Sequence, residues 1–376
     1  TSCRSLTAIS KRLLHAVSWT SYPLIGFSVC YGQLTSALYF IRQVKKVSPH
    51  SSLVAGGSSC AGPMGESLLR AFPEIDFVVS GEGELPLLEL VKGLAPGSKA
   101  WTGPSVPGLL TRGSVTAEGF SQISRLDDLP PPDYEDYFET LKAFPEPKRF
   151  LPRLPVEMSR GCWWGRATRP LQGKGCTFCN LNLQWEGYRF KSPGKMVQEI
   201  ESLTDRHEIL SISFMDNLLP PKNLQTLFEA LAGAGKDFRL FAEIRATTSL
   251  EELLAMGEAG AREVQVGIEA LSTHLLQKMN KGTTAIRNLE IMKNCEARNV
   301  PDLTSNLITR FPGSDARDVE ETLNALRFAL PFRPLKPVPF WMGYGSPVWH
   351  HPEAFGIRRL RHHPFYRYLF PRETLS

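Results

Sequence analysis

The stretch that decides the fold begins with Ser159-Arg160-Gly161-Cys162-Trp163-Trp164-Gly165 and, after residues 166–175, ends with Cys176-Thr177-Phe178-Cys179. It follows an apolar run, residues 156–159, that predicts a strand. Three cysteines therefore fall within 18 residues, with the spacing C-x13-C-x2-C. Three soft thiolates on one glycine-rich loop suit Zn²⁺ or an iron–sulfur cluster.

The missing fourth ligand separates these metals. A structural zinc site usually closes with a fourth Cys or His at short range, but the next candidate after Cys179 is His207. The spacing therefore favours a cluster with one iron open to an external ligand. Two alternatives stay open, namely ordinary buried thiols and a C-x2-C redox pair of thioredoxin type. Clustering on a loop argues against the first, and the absence of a small βαβ context argues against the second.

Strand, loop and helix alternate five or six times from residue 155 onward. Strands are predicted at 156–159, 209–214, 239–244, 263–266 and 304–308, and helices at 194–206, 222–233, 250–257, 272–280, 285–299 and 316–329. This alternation predicts a complete or partial (β/α) barrel, whose active site gathers at the carboxyl ends of the strands. The three cysteines follow the first of these strands.

The first third of the chain predicts a second α/β domain. Strands at 24–30, 52–55 and 76–79 alternate with helices at 33–46, 65–72 and 86–94, as in a doubly wound, Rossmann-like parallel sheet. Ligands of such sheets lie beyond the carboxyl ends of the strands. We expect a first domain at 1–125, a proline-rich linker at 126–154, the barrel at 155–335 and a C-terminal extension at 336–376.

Composition limits the class of protein. The chain has 376 residues, of which 42% are hydrophobic and 22% charged, which excludes a disordered chain or a coiled coil. A net charge of +5 without a basic block does not indicate nucleic acid as a partner, and no apolar window indicates a membrane span. Seven widely spaced cysteines make a poor disulfide framework, so we expect reduced thiols in a cytoplasmic protein.

A series of short motifs spans nearly the whole chain. They are LIGFSVCYGQ (24–33), GPMGESLLRAF (62–72), VVSGEGE (78–84), VEMSRGCWWG (156–165), CTFC (176–179), YRFKSP (188–193), FMDN (214–217), VQVGIE (264–269), MNKGTT (279–284) and GYGSPV (343–348). In combination they resemble cobalamin (B12)-binding-domain radical S-adenosylmethionine (SAM) proteins. More narrowly, they resemble those that mature ribosomally synthesised peptides (RiPP maturation radical SAM proteins).

The resemblance implies a radical SAM partial barrel in which Cys162, Cys176 and Cys179 hold a 4Fe–4S cluster and SAM binds the open iron. The SAM-binding positions it implies are Phe178, Asp216, Asn217, Glu243, Arg245, Glu269, Phe311 and Gly313. Asp216 and Asn217 would meet the methionyl amine, Glu243 and Arg245 the ribose or the carboxylate. The alternative for each charged residue is a solvated or locally paired side chain at a strand end.

The resemblance also implies that the first domain binds cobalamin across its strand ends. The matching positions are Ser28, Val29, Tyr31, Gly56, Gly57, Ser58, Gly81, Glu82 and Gly83. The sequence contains no Asp-x-His-x-x-Gly string, so we expect no histidine ligand from that motif. The alternative is a Rossmann-like domain that binds nothing. Because the chain begins at Thr1, we expect this domain to be incomplete at its N-terminus.

The activity implied is methylation of an unactivated carbon in a precursor peptide, with an electron from a flavodoxin or ferredoxin. Two other functions stay open, namely a rearrangement or cross-link on a peptide, and a truncated, inactive paralogue. Three features depart from the family pattern: residues 166–175 lengthen the first cysteine spacing, the chain starts late in the expected first domain, and Arg310 replaces a small residue.

Overall fold

The computed structural model describes residues 3–94, 101, 103–113, 119, 121–165, 175–369 and 372–374. The chain divides into two units. Unit 1 comprises Thr1–Ser124, Leu183–Trp185 and Arg361–Ser376, and unit 2 comprises Arg125–Asn182 and Glu186–Leu360. No helix within the described ranges is both long and apolar enough to cross a membrane.

Unit 1 is an alternation of helices and strands. In chain order its elements are α1 (Cys3–His15), β1 (Leu24–Ser28), α2 (Leu34–Val47), β2 (Ser52–Gly56), α3 (Pro63–Ala71), β3 (Phe77–Val79), α4 (Glu84–Gly93) and β4 (Leu109–Thr111). A short helical turn, Tyr366–Leu369, also belongs to it.

The sheet of unit 1 has the order β1-β2-β3-β4, parallel except for β4. Its central strands are continuous apolar runs because both faces are covered, and α2 buries Ile41 and Val44. The parallel α/β class is confirmed. The described strands follow one another in chain order, so the reversal that defines a doubly wound sheet is not found among them.

Unit 2 contains the larger α/β assembly. Its elements are α5 (Glu135–Ala143), β5 (Leu154–Val156), β6 (Ser159–Arg160), β7 (Arg189–Phe190), α6 (Pro193–His207), β8 (Ser211–Phe214), α7 (Leu224–Gly233), β9 (Arg239–Arg245), α8 (Leu250–Glu258), β10 (Ala261–Gly267), α9 (Thr273–Lys278), α10 (Ala285–Asn294), β11 (Asp302–Thr304), β12 (Asn306–Thr309), α11 (Ala316–Ala329), β13 (Lys336–Pro339) and α12 (Pro347–His350).

Parallel strands of unit 2 form an incomplete barrel. Five of them pair in the order β11-β10-β9-β8-β5. After Ser305 the chain continues as β12, which pairs in parallel with β13. Glu269 joins the two sheets, since its N–H donates to Asn306 at 3.1 Å and its carbonyl accepts from Ile308 at 2.8 Å. The expected partial barrel is confirmed.

Helix starts in unit 2 carry their own caps. Ser249 accepts a hydrogen bond from the Glu252 N–H, and the Glu252 carboxylate accepts one from the Ser249 N–H, which forms a capping box at α8. Asp315 and Asp318 form the same arrangement at α11. These caps satisfy N–H groups that a helix start leaves unpaired, so they fix where the helices begin.

The segment expected to be a linker packs as part of unit 2. Helix α5 lies within it, and the buried Phe138 stacks on His207 at 4.4 Å between ring centroids. The segment expected to be an extension begins with β13. The two prolines of this strand argued against a strand at the sequence level. Strand β13 lies at a sheet edge, however, where alternate residues need no backbone N–H donor. The Lys336 N–H donates to the Ser305 carbonyl at 2.9 Å, and the Phe340 N–H donates to the Thr309 carbonyl at 2.8 Å.

Candidate functional site

Two short segments carry the three cysteines. Strand β6, which pairs with β7, leads directly into Cys162. The Gly165 N–H donates to the Cys162 carbonyl at 3.0 Å, and the Cys179 N–H donates to the Cys176 carbonyl at 3.2 Å. Each segment therefore closes a tight turn at its cysteines. Residues 166–174, which contain most of the expected insertion, lie outside the described residues.

The sulfur arrangement fits a cluster better than a single ion. A zinc ion with Zn–S bonds of about 2.3 Å brings its thiolates to within about 4 Å of one another. In the part of the chain that the structure describes, the one trio with ligand atoms within 4.8 Å of one another is His274, Asp315 and Asp318. The three cysteine sulfurs are more widely spread, as ligands of different irons must be.

The His274 trio has a different role. Lys278 lies 2.8 Å from Asp315 and 2.6 Å from Asp318, so an ammonium of the protein already forms ion pairs with both carboxylates. His274 Nδ1 lies 2.8 Å from Asp318. The network ties α9 to the start of α11.

Burial holds two of the three thiols, those of Cys176 and Cys179, in their protonated form. It raises the pKa of Cys179 to about 12 and also raises the pKa of Cys176. The positive charges of Lys281 and Arg245 act against burial at Cys176. Because iron binds cysteine as the thiolate, iron binding must release these protons. Lys281 and Arg245 reduce the free-energy cost of that deprotonation at Cys176.

Arg245 ends strand β9 beside the cysteine segments. Its guanidinium donates to the Lys281 carbonyl and lies 4.6 Å from the Trp164 ring centroid and 5.3 Å from that of Trp163. Burial lowers the pKa of Arg245, and Cys176 and Cys162 partly offset this effect. Two indole faces thus cover a buried cation next to the thiols.

Lys281 is a second buried cation, which the sequence analysis assigned no role. Its ammonium lies 3.1 Å from a Glu269 carboxylate oxygen and 5.7 Å from the Phe178 ring centroid. Burial would lower the pKa of Lys281, but the charges of Glu269 and Cys176 outweigh it and raise the pKa. The sequence feature that could have identified Lys281 is the MNKGTT motif, residues 279–284, which contributed only to the family resemblance.

Residues 279–282 form the turn that follows α9, and both cysteine segments pack against this turn. Trp164 and Gly175 each hydrogen-bond to Asn280, at 2.9 and 2.8 Å. The Thr177 N–H donates to Met279 at 2.9 Å. Gly282 has a φ of +71°, and a Cβ there would lie 2.1 Å from the Trp164 ring. Only glycine suits this position.

Asp216, expected near the methionyl amine, is engaged by its own unit. One carboxylate oxygen accepts from the Met158 N–H at 3.1 Å, and the other accepts from the Ser159 hydroxyl. Burial raises the pKa of Asp216 to about 7, although these hydrogen bonds lower it. The carboxyl thus fixes the start of the cysteine segment. The neighbouring Asn217 is half-buried after β8, and contacts of both residues with SAM stay predictions.

Glu243 and Glu269 converge from neighbouring strands. Burial raises the pKa of Glu243, Glu269 raises it further, and Lys281 lowers it. Glu269 has a φ of +64°, just beyond β10. The two carboxylates and Lys281 therefore lie on one side of the barrel mouth, where the resemblance places polar contacts to SAM.

Phe178 and Phe311 form an apolar wall next to this charged group. Their ring centroids are 6.4 Å apart, and Phe311 is buried. The Gly313 carbonyl accepts from the Lys278 ammonium at 2.9 Å. Arg310 has a φ of +58°, a conformation that is uncommon for a non-glycine residue.

In unit 1, the expected cobalamin residues lie at the carboxyl ends of the parallel strands. Ser28 pairs with Gly56 across β1 and β2, and the Val29 N–H donates to Gly56 at 2.7 Å. A Cβ on Gly57 would lie 2.8 Å from the Val29 carbonyl oxygen. The small residues therefore allow this close approach of the two strand ends.

The other expected positions follow the same edge. Tyr31 begins a helical turn before α2, Ser58 begins one after β2, and Gly81 and Gly83 follow β3. Glu82 is buried, and its carboxylate accepts from the Ile123 N–H at 2.9 Å. Its role within unit 1 is thus to hold the segment at Ile123, and a contact with cobalamin stays a prediction.

Several known proteins are similar to this chain. Residues 156–326 match the radical SAM superfamily. An uncharacterised methyltransferase of Pyrococcus horikoshii, PH0819, is 29% identical over 310 residues, which are 80% of this chain and 63% of the relative. The anaerobic magnesium-protoporphyrin IX monomethyl ester cyclase of Cereibacter sphaeroides is 28% identical over 273 residues, which are 69% of this chain and 42% of the relative. The chain therefore spans less than two thirds of either relative.

A solved structure shares the fold of both units. The radical SAM methyltransferase TsrM from Kitasatospora setae, with cobalamin and a [4Fe-4S] cluster bound, superposes with a TM-score of 0.68 at 18% identity. The match covers 94% of this chain and 71% of TsrM. Residues 156–326 thus match the radical SAM superfamily, and the chain shares its two-part fold with TsrM.

Proposed function

We propose that this chain acts as a cobalamin-dependent radical SAM methyltransferase. The observation that carries the proposal is the trio Cys162, Cys176 and Cys179, held at the barrel mouth beside the buried cations Arg245 and Lys281. The relatives support it, since PH0819 is described as a methyltransferase and TsrM binds cobalamin and a cluster.

Each residue of the site has a part in this proposal. Cys162, Cys176 and Cys179 would hold a 4Fe–4S cluster, which supplies one electron to bound SAM. Arg245 and Lys281 offset the negative charge of three thiolates, and Trp163 and Trp164 shield the guanidinium from water. Glu243, Glu269 and Asn217 offer polar groups to SAM, and Phe178 and Phe311 offer an apolar face.

Unit 1 would supply the cobalamin site. Gly56 and Gly57 leave the carboxyl end of β2 without bulky side chains, and the backbone of Val29 approaches it closely. With no Asp-x-His-x-x-Gly string in the sequence, we propose that cobalamin binds here without a histidine ligand from that motif.

The substrate and the electron donor are finer points of the proposal. C-methylation of a precursor peptide and reduction by a flavodoxin or ferredoxin are supported by the motif resemblance alone. The relatives named above act on other substrates where their names state one: the cyclase is named for a magnesium porphyrin ester.

Anaerobic reconstitution tests the proposal. Iron and sulfide should give the full chain a brown visible absorbance, which Cys162→Ala, Cys176→Ala or Cys179→Ala abolishes. With cobalamin, a reductant and methyl-labelled SAM, a candidate precursor peptide should gain a labelled methyl group. A colourless wild type, or label found only in SAM breakdown products, contradicts the methyltransferase.

A second candidate is a bond-forming reaction without methyl transfer. The similarity to the magnesium-protoporphyrin ester cyclase favours it, because the name describes ring formation rather than methylation. The same assay separates the two functions: a cross-linked or cyclised product has an altered mass but carries no label from the methyl group of SAM.

A further inference from the structure

The two stems of the loop between Cys162 and Cys176 meet on a single residue, Asn280. On the first stem, Trp164 donates its Nε1–H to the Asn280 carbonyl at 2.9 Å. On the second, Asn280 donates its Nδ2–H to the Gly175 carbonyl at 2.8 Å. Asn280 therefore contacts Trp164, the second-to-last described residue before residues 166–174, and Gly175, the first described residue after them.

Asn280 is itself held firmly. It follows the end of α9 with a φ of +50°, and its N–H donates to Gln277 at 3.0 Å. The adjacent Met279 and the preceding Leu276 are fully buried. The turn is therefore an extension of a packed helix, and Asn280 is anchored to that helix by its own backbone hydrogen bond.

Further contacts align the second stem on the same turn. The Thr177 N–H donates to Met279 at 2.9 Å, and the Thr177 hydroxyl donates to Lys278 at 3.2 Å. On the first stem, the Trp164 ring lies directly against Gly282. Both cysteine segments thus pack against the same turn.

This arrangement bears on how the length of the loop affects the free energy of bringing the two stems together. The entropy of closing a flexible loop rises only slowly with its length. The separation of the two stems, in contrast, is set by their hydrogen bonds to the α9 turn. We propose that Asn280 is a positioning residue that holds the Cys162 and Cys176 segments together before iron binds, whatever the length of the loop between them.

The inference rests on the proposed cluster site but concerns the iron-free protein, so it is tested without iron. Asn280→Gly removes the Nδ2 donor and tolerates the positive φ. In hydrogen exchange measured by mass spectrometry on the iron-free full chain, we expect the peptide that covers residues 175–179 to exchange about tenfold faster, as for the loss of one partly buried hydrogen bond. Replacing residues 167–173 by two glycines should leave that exchange unchanged.

Asn299→Gly is the matched control, because Asn299 also has a positive φ (+63°) but is exposed and remote in the sequence from Cys162, Cys176 and Cys179. Trp164→Phe, which removes the other stem's donor, keeps the test valid if Asn280→Gly fails to fold. It should speed exchange across residues 160–165. Unchanged exchange in the donor variants, or lost protection in the shortened loop, overturns the proposal.

A spectroscopic readout follows in the iron-loaded protein. The shortened loop should retain the electron paramagnetic resonance spectrum of the reduced wild-type cluster, whereas Asn280→Gly should lower the iron content and alter the spectrum. If the wild type takes up no iron, the proposed cluster fails, while the exchange result still decides the role of Asn280. A lost spectrum in the shortened loop counts against the proposal.

Discussion

The Lys281 ammonium lies 3.1 Å from the Glu269 carboxylate, and their side chains are only 9% and 17% exposed. The pair lies at the centre of the candidate site, because the Lys281 charge also acts on Cys176 and its ammonium faces the Phe178 ring. Removal of one partner of a largely buried ion pair leaves the other charge without compensation. The pair is therefore a structural requirement of the site as well as a source of charge.

Replacement of the cation alone should destabilise the iron-free protein. We expect Lys281→Met to lower the free energy of unfolding by about 2 kcal/mol, measured by urea denaturation. The double variant Lys281→Met/Glu269→Leu should recover most of this loss, since it leaves no buried charge. Lys92→Met is the control: its pair with Glu89 is 61% and 48% exposed, and its loss should cost less than about 0.5 kcal/mol. Equal effects at the two lysines would refute this view.

Gly282 gives a second prediction, which concerns packing. Gly282→Ala places a Cβ 2.1 Å from the Trp164 ring, so the ring and the first cysteine stem must move. We expect a stability loss of about 3 kcal/mol by thermal or urea unfolding, together with reduced iron uptake.

A matched glycine separates the clash from backbone strain. Gly235 has a similar φ of +66°, but a Cβ there would meet nothing within 4 Å. Gly235→Ala therefore measures the strain alone, at about 1 kcal/mol, and should leave iron uptake intact. The packing argument does not survive if the two alanine variants behave alike.

The sequence predicts the barrel strands and the cysteine trio because both are local signals. The apolar run at residues 156–159 and the C-x13-C-x2-C spacing require no knowledge of tertiary contacts. The barrel strand there is β5, which ends at Val156, so the run marks the existence of the strand but not its bounds. Asn280 and Lys281 show where such signals end. They meet Trp164, Gly175 and Cys176 across more than 100 residues of chain, and no periodicity or spacing connects positions so far apart.

Strand-end carboxylates illustrate a second limit. Sequence places Asp216 and Glu82 at the carboxyl ends of strands, where ligands bind in such folds. In the structure their oxygens accept hydrogen bonds from Met158 and Ile123, which lie in neighbouring loops. A sequence reveals that a carboxylate lies at the ligand-binding edge, but tertiary contacts decide whether it faces a ligand or supports the loop beside it.

The cysteines outside the trio lead to a third prediction. Cys30 is exposed, and the Ser58 N–H donates to its sulfur, which lowers the pKa of Cys30 despite partial burial. Cys60 is fully buried, and burial raises its pKa to about 12. At pH 8, iodoacetamide should modify Cys30 at least about tenfold faster than Cys60 in the native protein, as measured by peptide mass spectrometry.

Denaturation provides the control for this reactivity. In concentrated urea the hydrogen bond and the burial are both lost, so the two thiols should react at similar rates. Similar rates in the native protein would instead show that Cys60 is accessible, which its burial does not allow.

Asp216 gives a prediction about pH. Burial holds its pKa near 7 in the folded chain, above the ordinary value of 3.8. Because the folded state then binds the proton more tightly than the unfolded state, this carboxyl makes its largest contribution to stability below about pH 4 and loses it as pH rises to about 7. Asp216→Asn keeps an acceptor for the Met158 N–H and carries no charge. We expect the variant to exceed the wild type by about 2 kcal/mol at pH 8 and to match it near pH 4, in urea denaturation of the iron-free protein.

Asp318 is the matched control, because its expected pH dependence has the opposite sign. It is also fully buried, but hydrogen bonds from Lys278 and the Asp315 N–H outweigh burial and lower its pKa. A carboxylate with a lowered pKa contributes stability above about pH 4 and loses it in acid. Asp318→Asn should therefore be less stable than the wild type at pH 8, and the two should converge as the pH falls below 4. If Asp216→Asn is also less stable at pH 8, the Asp216 carboxylate must be ionised and paired in the folded protein, and burial does not control its charge.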